Sequence, residues 1–288
     1  MYEIMQTIIQ ALANTIFVSI LEESFIVAFS LMLLKKFDAL EFNKGINVKR
    51  FLGAILIPAV FTNASRQFGV QDNFVLLIGV LSVYGALVLI YKIHSPKKLL
   101  GAFISILTAI VTFMAIELSY VPLLLRLLNT TVEEVNSSVL NNFLLSIPER
   151  TIEAVIIWAM WKKRFNILKV DVVKVITNSR VLSILSIVLL GMNVFMLGLS
   201  GKYVIFDRYL SGFPISVQMV FIVGTLILPI FNMVILYAII YNLKYKEGYR
   251  KLFRRDNINS LVSILEESIQ EGDYRMVRMA LDDMKNLN

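Results

Sequence analysis

Seven long apolar segments constrain the fold of this chain more than any other feature of its sequence. A helix needs roughly 20 mostly apolar residues to cross a hydrocarbon core about 30 Å thick. The segments that approach this length are residues 8–34, 51–67, 73–93, 99–120, 142–161, 181–200 and 216–243. Since 57% of the residues are hydrophobic and only 17% are charged, we expect an all-α integral membrane protein with about seven transmembrane helices. Residues 62–66 are polar, so six spans plus one re-entrant or interfacial helix is the alternative.

The Lys and Arg residues orient these segments, because such residues are more frequent in cytoplasmic connections than in external ones. With the N-terminus outside and the C-terminus inside, all but five of the 28 Lys and Arg residues are cytoplasmic. The five others are Arg66, Arg126, Arg150, Lys202 and Arg208. This split favours seven spans in a multi-pass protein of the cell membrane. It also explains the net charge of +7 by contacts with anionic membrane lipids, and not with nucleic acid.

The residue types present limit the chemistry of the chain. It has no cysteine and a single histidine, His94, so we expect no disulfide, no thiolate site and no two-histidine metal site. No Gly-rich nucleotide loop occurs either, and we expect no cofactor. No cleavable leader is recognised, so the first apolar segment is expected to stay as an anchor. Short external connections favour a peptide or a small, apolar or membrane-borne ligand.

Charged residues inside the apolar segments are the main functional candidates, since each costs roughly 2.5–3.5 kcal/mol to insert at mid-membrane. The hypothesised ligand-binding residues are Glu117, Arg126, Glu149, Arg150 and Glu153, and further intramembrane candidates are Glu22, Glu23 and Asn232. Glu117 and Arg150 have similar predicted depths, so they could form an outward-facing pocket for a ligand carboxylate. A bundle-locking ion pair is the alternative, with Glu22 or Glu23 protonated or bonded to an asparagine.

A secondary transporter or ion-coupled carrier is the alternative function. Glu22, Glu23 and Glu117 could carry an ion, and Pro58 and Pro229 interrupt apolar segments as the helices along a substrate path often do. Against this interpretation, seven spans do not divide into equal repeats, and the sequence shows no convincing internal duplication.

Residues 244–288 are predicted to form a cytoplasmic domain after a membrane domain of residues 1–243. An apolar stripe at helical spacing comprises Ile258, Leu261, Leu265 and Ile269. Gly272 and Asp273 then favour a helix end followed by a helix start. One antiparallel hairpin has too little core of its own, so we expect a homodimeric four-helix bundle. Pro229 and Gly248 are the predicted hinges. A generic amphipathic coiled-coil end is the alternative.

The tail carries a recognisable motif. Arg254, Asp256, Asn259 and Leu261, followed by Gly272-Asp273, match the pattern Arg-His-Asp-x-x-Asn-x-Leu with a later Gly-Asp turn. This stretch resembles the acceptor hairpin of peptide-pheromone receptor histidine kinases, and is similar to that of the sporulation phosphotransferase and of citrate-sensor-like kinases. Arg255 stands where these families have the acceptor histidine.

The resemblance implies a receptor of two-component, quorum-sensing type. An arginine has no lone pair for attack on phosphorus, and the sequence holds no ATP-binding domain, so we expect no autokinase activity. We expect instead that the last span transmits a conformational signal about Pro229 to the degenerate hairpin. The hairpin would then engage a response regulator or an intact histidine kinase. A truncated or engineered kinase fragment is the alternative.

Overall fold

The described part of the chain is built from helices, and no strand occurs in it. The computed structural model describes residues 15–70, 72–131, 134–135, 138–162, 172–206, 213–214, 216–227, 229–232, 234–236, 238–239, 262, 265–266, 269–270, 274, 277–278 and 281. The chain divides into two compact units, Met1–Ile235 and Leu236–Asn288. The predicted all-α class is confirmed.

Eight α-helices are described in chain order. They are α1 (Ile20–Leu33), α2 (Gly45–Gln67), α3 (Asp72–Ile90), α4 (Pro96–Leu127), α5 (Val139–Lys162), α6 (Val172–Asn178), α7 (Arg180–Gly201) and α8 (Ser216–Leu236). A π-helical turn, Thr15–Ser19, precedes α1, and a second one, Lys202–Phe206, follows α7. A short 3-10 helix, Phe37–Leu40, lies between α1 and α2.

Four of the described helices, α2, α4, α7 and α8, are long and apolar enough to cross a membrane. Helix α3 is also apolar, but its apolar part, Phe74–Ile90, is shorter. By length and composition these four helices are compatible with the predicted membrane protein, while seven crossings stay a prediction. Helix α5 is 24 residues long but carries three charged residues within two turns, at positions 149, 150 and 153.

The polar residues 62–66, which made a membrane span over residues 51–67 doubtful, are part of a continuous helix. Helix α2 runs through Pro58 to Gln67 without a break. The polar side chain of Asn63 is hydrogen-bonded inside the bundle. Its Nδ2 donates to Oγ of Ser19 at 2.7 Å and to the carbonyl oxygen of Ala59 at 2.9 Å. A polar residue facing a neighbouring helix thus joins α2 to the turn before α1.

Helix α4 lies at the centre of the bundle and contacts α1, α3, α5, α6 and α7. Its buried face includes small residues that allow close approach. A Cβ atom placed on Gly101 would lie only 2.9 Å from Cγ1 of Val173 on α6, so this crossing requires glycine. At 32 residues, α4 is roughly 48 Å long and exceeds the thickness of a bilayer core.

Helices α1 to α4 end in the same way, with a residue in the left-handed conformation. These residues are Lys35, Gly69, Lys92 and Asn129, with φ values of 55°, 69°, 49° and 48°. After α1, the amide of Lys36 donates to the carbonyl of Leu31 and the amide of Lys35 to that of Met32. This Schellman motif satisfies carbonyl groups that the helix leaves without a partner. Only one of the four positions holds glycine, so the sequence did not predict a left-handed conformation at the other three.

The ends of α1, α3 and α5 meet at one end of the bundle. Nζ of Lys36 donates to the carbonyl oxygen of Tyr91 at 3.4 Å and lies 5.6 Å from the centre of the Tyr91 ring. The ring of Phe37 packs edge-on against Trp161, with centroids 6.2 Å apart. This end carries residues from the predicted cytoplasmic connections.

Basic side chains gather at the same end of the bundle. Burial lowers the pKa of Lys36 below its ordinary value, and the nearby cations Lys98 and Arg50 lower it further. Nζ of Lys97 donates to Oδ1 of Asn178 at 3.0 Å, so the start of α4 meets the end of α6. A concentration of cations at one end is what an anionic membrane surface attracts.

Most of the predicted hairpin lies outside the described residues. This holds for the hinge residue Gly248 and for Arg254, Arg255, Asp256, Ile258, Asn259 and Leu261. Leu265 and Ile269 are described and helical, and Ile269 is 62% exposed. Pro229 is buried within α8. The domain assignment, the hairpin and its dimerisation therefore stay predictions.

Candidate functional site

The guanidinium of Arg150, near the middle of α5, is the centre of a buried group of charges. Nη1 donates to both carboxylate oxygens of Glu153, at 2.9 and 2.8 Å. Nη2 donates to Oε1 of Glu22 on α1 at 3.2 Å and lies 3.8 Å from Oε2 of Glu149. The side chains of Glu149 and Glu153 are each 5% exposed, and that of Arg150 is 14% exposed. Water therefore contributes little to the solvation of these charges.

Helix α4 joins the same group through Tyr120. Its hydroxyl donates to Oε2 of Glu149 at 3.1 Å. The Arg150 guanidinium also lies 5.9 Å from the centre of the Phe113 ring, a distance at which a cation is attracted to an aromatic face. The Arg150 cluster is defined here as Glu22, Tyr120, Glu149, Arg150 and Glu153. It connects helices α1, α4 and α5 by polar contacts.

The spacing of residues along α5 creates half of this geometry locally. Arg150 and Glu153 are three residues apart, so their side chains meet on one helix face. Glu149 and Glu153 are four residues apart and lie on the same face, both buried. The contact with Glu22 is different, because it joins residues 128 positions apart in the chain. Only the packing of α1 against α5 produces it.

Two buried polar atoms of the cluster have no hydrogen-bond partner. They are Oε1 of Glu149, an acceptor, and Nε of Arg150, a donor. Most buried polar groups in proteins are hydrogen-bonded, and one without a partner costs about 1–3 kcal/mol. A cluster that retains such atoms is a candidate for binding a ligand, because a ligand with a donor for Oε1 and an acceptor for Nε would satisfy both.

The structure brings together four of the charged residues that the sequence singled out. Glu22, Glu149, Arg150 and Glu153 meet in the Arg150 cluster, although the sequence had suggested Glu117 as the partner of Arg150. In the described part of the chain, no ion pair within 4.0 Å joins Glu117 to Arg150. Glu117 is only partly buried by its accessible surface.

The other candidates lie apart from the cluster. Glu23 is buried beside Glu22 but points to another side of α1, as neighbouring helical residues do. Arg126 is exposed near the end of α4. Asn232 donates to Oδ1 of Asn193 at 2.7 Å, which joins α8 to α7, and neither asparagine is bonded to Glu22 or Glu23. These positions do not extend the cluster.

Sequence reasoning missed Tyr120 and Phe113. A signal for Tyr120 was present, because it follows Glu117 by three residues and therefore lies on nearly the same face of α4. Phe113 gave no signal, since an aromatic residue in an apolar span is typical of any membrane helix. A polar residue within one turn of an acid in an apolar segment is the signal that identifies this tyrosine.

An open groove of about 500 Å³ adjoins the cluster between α1 and α5. Its walls include Leu21, Ile147, Val155 and Trp158, and Arg150 contributes to its lining. The groove is therefore mostly apolar, with the charged cluster next to it. Among the described residues, no group of three or more acidic, histidine or cysteine side chains is arranged to hold a metal ion.

Comparison with known proteins gives no match of any kind. No family model, no curated protein and no solved structure matches the chain.

Proposed function

We propose that this chain is a multi-pass membrane sensor that relays a conformational signal to a partner protein. In this proposal it has seven spans, an external N-terminus and a cytoplasmic tail that pairs with a second copy of the chain. The Arg150 cluster is the sensing site, and the tail acts without autokinase activity. One observation carries the proposal: a buried charged network ties α1, α4 and α5 together through Arg150.

A network of this kind can act as a switch, because the loss or neutralisation of one charge changes the interaction energy of all the others. Removing one partner of a buried pair leaves an uncompensated charge, which typically costs 3–5 kcal/mol. A ligand or proton that alters the charge of Glu22 or Glu149 would therefore change the preferred packing of three helices. Since α4 contacts most of the bundle, a shift at its external half can reach other helices. Transmission to the tail is the step that the experiment must test.

The test uses disulfide crosslinking in native membranes. The chain has no cysteine, so Leu265→Cys provides a single reactive site on the predicted dimer stripe. We expect crosslinked dimers, and a change of at least about twofold in crosslinking rate when Arg150→Met or Glu22→Gln is added. Asp38→Asn, an exposed acid outside the cluster, should leave the rate unchanged. Detection of monomers alone, or equal crosslinking rates in all variants, would contradict the proposal.

A second candidate, an ion-coupled carrier, is favoured by the number of acids near one cation. Glu22, Glu149 and Glu153 surround the single guanidinium of Arg150, and Glu23 is buried next to Glu22. Acids that exchange protons or ions are typical of such carriers. Proton flux in proteoliposomes that is lost in Glu22→Gln or Glu149→Gln, with no effect of these changes on crosslinking, would favour the carrier over the sensor.

A further inference from the structure

The first four helices of the bundle bring their ends together in pairs. A Cβ atom placed on Gly101, near the start of α4, would lie 3.6 Å from Cδ2 of Leu34 after the end of α1. A Cβ atom placed on Gly53, near the start of α2, would lie 3.4 Å from Cδ1 of Ile90 at the end of α3. The end of α1 therefore packs against the start of α4, and the end of α3 packs against the start of α2.

Three cations, Lys36, Arg50 and Lys98, lie within three residues of these contacts and are called the Lys36 cluster. They come from the turn after α1 and from the N-terminal parts of α2 and α4. Burial lowers the pKa of Lys36, and the nearby charges of Lys98 and Arg50 lower it further. The three positive charges therefore repel one another.

The described acids do not balance these charges by ion pairing. None of the three cations makes an ion pair within 4.0 Å with a described carboxylate. Residues 35–50 and 91–98 together contain eight Lys and Arg residues but only two acids, Asp38 and Glu41. An anion from outside the chain would reduce the repulsion among the cations.

The ammonium group of Lys36 is held in position and still has donors to offer. The backbone amide of Lys36 donates to the carbonyl oxygen of Leu31 at 2.9 Å, which fixes the turn. Its Nζ donates to the carbonyl oxygen of Tyr91 at 3.4 Å and lies 5.6 Å from the centre of the Tyr91 ring. An ammonium group has three N–H donors, so these contacts leave two for a ligand. A side chain held in this way loses less conformational entropy when it binds an anion.

The neighbouring surface indicates that the anion carries apolar chains. Leu52 follows Arg50 by two residues on α2, and Leu89 lies near the end of α3. These leucines are 47% and 77% exposed. A free inorganic anion would leave them uncovered, whereas the acyl chains of a phospholipid would cover them while its phosphate contacts the cations. A phosphate monoester, with a charge of about −1.5 to −2 at pH 7, balances three cations better than a singly charged phosphodiester does.

We propose that the Lys36 cluster binds the phosphate monoester headgroup of a membrane lipid of the phosphatidic acid class. Lys36 donates to the phosphate oxygens, Arg50 and Lys98 lie against the same group, and the acyl chains lie along the exposed leucines of α2 and α3. General attraction of basic residues to an anionic surface requires no such site, because it involves no single headgroup. The Lys36 cluster shares no residue with the Arg150 cluster, so the inference goes beyond the proposed function and does not depend on it.

Native mass spectrometry of the full chain, released from detergent micelles, counts the lipids that stay bound. Three lipids with identical acyl chains are compared: a phosphatidic acid, a phosphatidylglycerol and a phosphatidylcholine. The phosphatidylglycerol measures attraction to a singly charged headgroup, and the phosphatidylcholine measures binding of the acyl chains alone. We expect one tightly bound phosphatidic acid per chain, with a dissociation constant at least about fivefold below those of the other two lipids.

Variants locate the bound headgroup. Lys36→Gln and Lys98→Gln should each raise the dissociation constant of the phosphatidic acid by about fivefold, because each removes a cation that contacts the phosphate. Lys36→Arg keeps the positive charge, so it should stay within about twofold of the original chain. Lys44→Gln is the matched control, because it removes an exposed cation just before α2 that is not part of the cluster, and it should have little effect. Thermal unfolding establishes that each variant is folded.

Two results with the lipids would overturn the inference. Equal dissociation constants for phosphatidic acid and phosphatidylglycerol would contradict the headgroup class. Equal losses in Lys44→Gln and Lys36→Gln would show diffuse attraction to anionic lipid, and not a site.

A further measurement separates a lipid headgroup from free phosphate. Inorganic phosphate or glycerol 3-phosphate is added at the concentration of the bound lipid. Retention of the phosphatidic acid supports a lipid site. Its displacement would assign the Lys36 cluster to a soluble phosphate and contradict the proposal.

Discussion

At the scale of single residues, Arg150 has the largest expected effect on stability. Its guanidinium is the cation paired with Glu22, Glu149 and Glu153, which are held in largely apolar surroundings. We expect Arg150→Met to lower the free energy of unfolding by about 3–5 kcal/mol, because it leaves buried carboxylates without a counter-charge. Arg150→Lys should recover only part of this loss. It restores a positive charge, but one ammonium cannot reproduce the two-sided guanidinium contacts. Thermal unfolding in detergent measures both effects.

Arg126→Met is the control for this prediction. Arg126 is exposed, so the same change of residue there should alter the free energy of unfolding by less than about 0.5 kcal/mol. Equal losses for Arg126→Met and Arg150→Met would show that the cluster has no special energetic role.

Also at the residue scale, Lys35 lies in a strained conformation. Its φ of 55° places it in the left-handed region, where a side chain costs roughly 1–2 kcal/mol and glycine costs much less. We expect Lys35→Gly to raise the free energy of unfolding by about 1 kcal/mol. Lys35→Ala removes the same charge but keeps the steric cost, so it should give no comparable gain. Stabilisation of equal size in both variants would assign the effect to charge.

At the scale of helices, the crossing of α4 and α6 depends on a missing side chain. A Cβ on Gly101 would lie 2.9 Å from Cγ1 of Val173, which cannot rotate away freely. We expect Gly101→Ala to destabilise the bundle by about 1–3 kcal/mol. Gly85→Ala on α3 is the matched control, since nothing lies within 4 Å of its Cβ position. Helix propensity predicts that Gly85→Ala stabilises the protein by about 0.5–1 kcal/mol. Thermal unfolding measures whether the two glycine variants change stability in opposite directions.

The helices were largely predictable from sequence, but their ends were not. Apolar runs indicated the described helices α1, α2, α3, α4, α5, α7 and α8. Helix α4 begins at Pro96 and α2 at Gly45, each a few residues before its apolar segment. The polar residues that precede an apolar segment can still form helical backbone hydrogen bonds, so hydropathy does not show where a helix begins. The short helix α6 was not predicted, since Val172–Asn178 has no long apolar run.

At the scale of the whole molecule, the proposed orientation places the basic end of the bundle in the cytoplasm. The two ends of α4 provide the test, because Ser95 and Asn129 are exposed and adjoin its opposite ends. In a chain without native cysteine, Asn129→Cys should react with an impermeant maleimide in intact cells. Ser95→Cys should react only after the cells are permeabilised. The reverse pattern would invert the topology and place the Arg150 cluster in the cytoplasmic half.

The candidate site was partly predictable, and the limit has a physical cause. The cost of charge in an apolar segment identified Glu22, Glu149, Arg150 and Glu153 from the sequence. The partner of Arg150 could not be identified in this way, because predicted depth favoured Glu117, and only the packing of α1 against α5 brings Glu22 to the guanidinium. Nothing in local spacing distinguishes two acids on different helices.

The sequence by itself determined that this chain is a helical membrane protein with acids in its interior. Backbone groups in lipid must bond within their own segment, so long apolar runs have to become helices whatever their neighbours are. Tertiary structure decided which charges meet, because the contact of Glu22 with Arg150 spans 128 residues and depends on how α1 packs against α5. It also decided that Arg150 is already surrounded by carboxylates. That pairing places Glu22, and not the Glu117 expected from the sequence, beside the guanidinium.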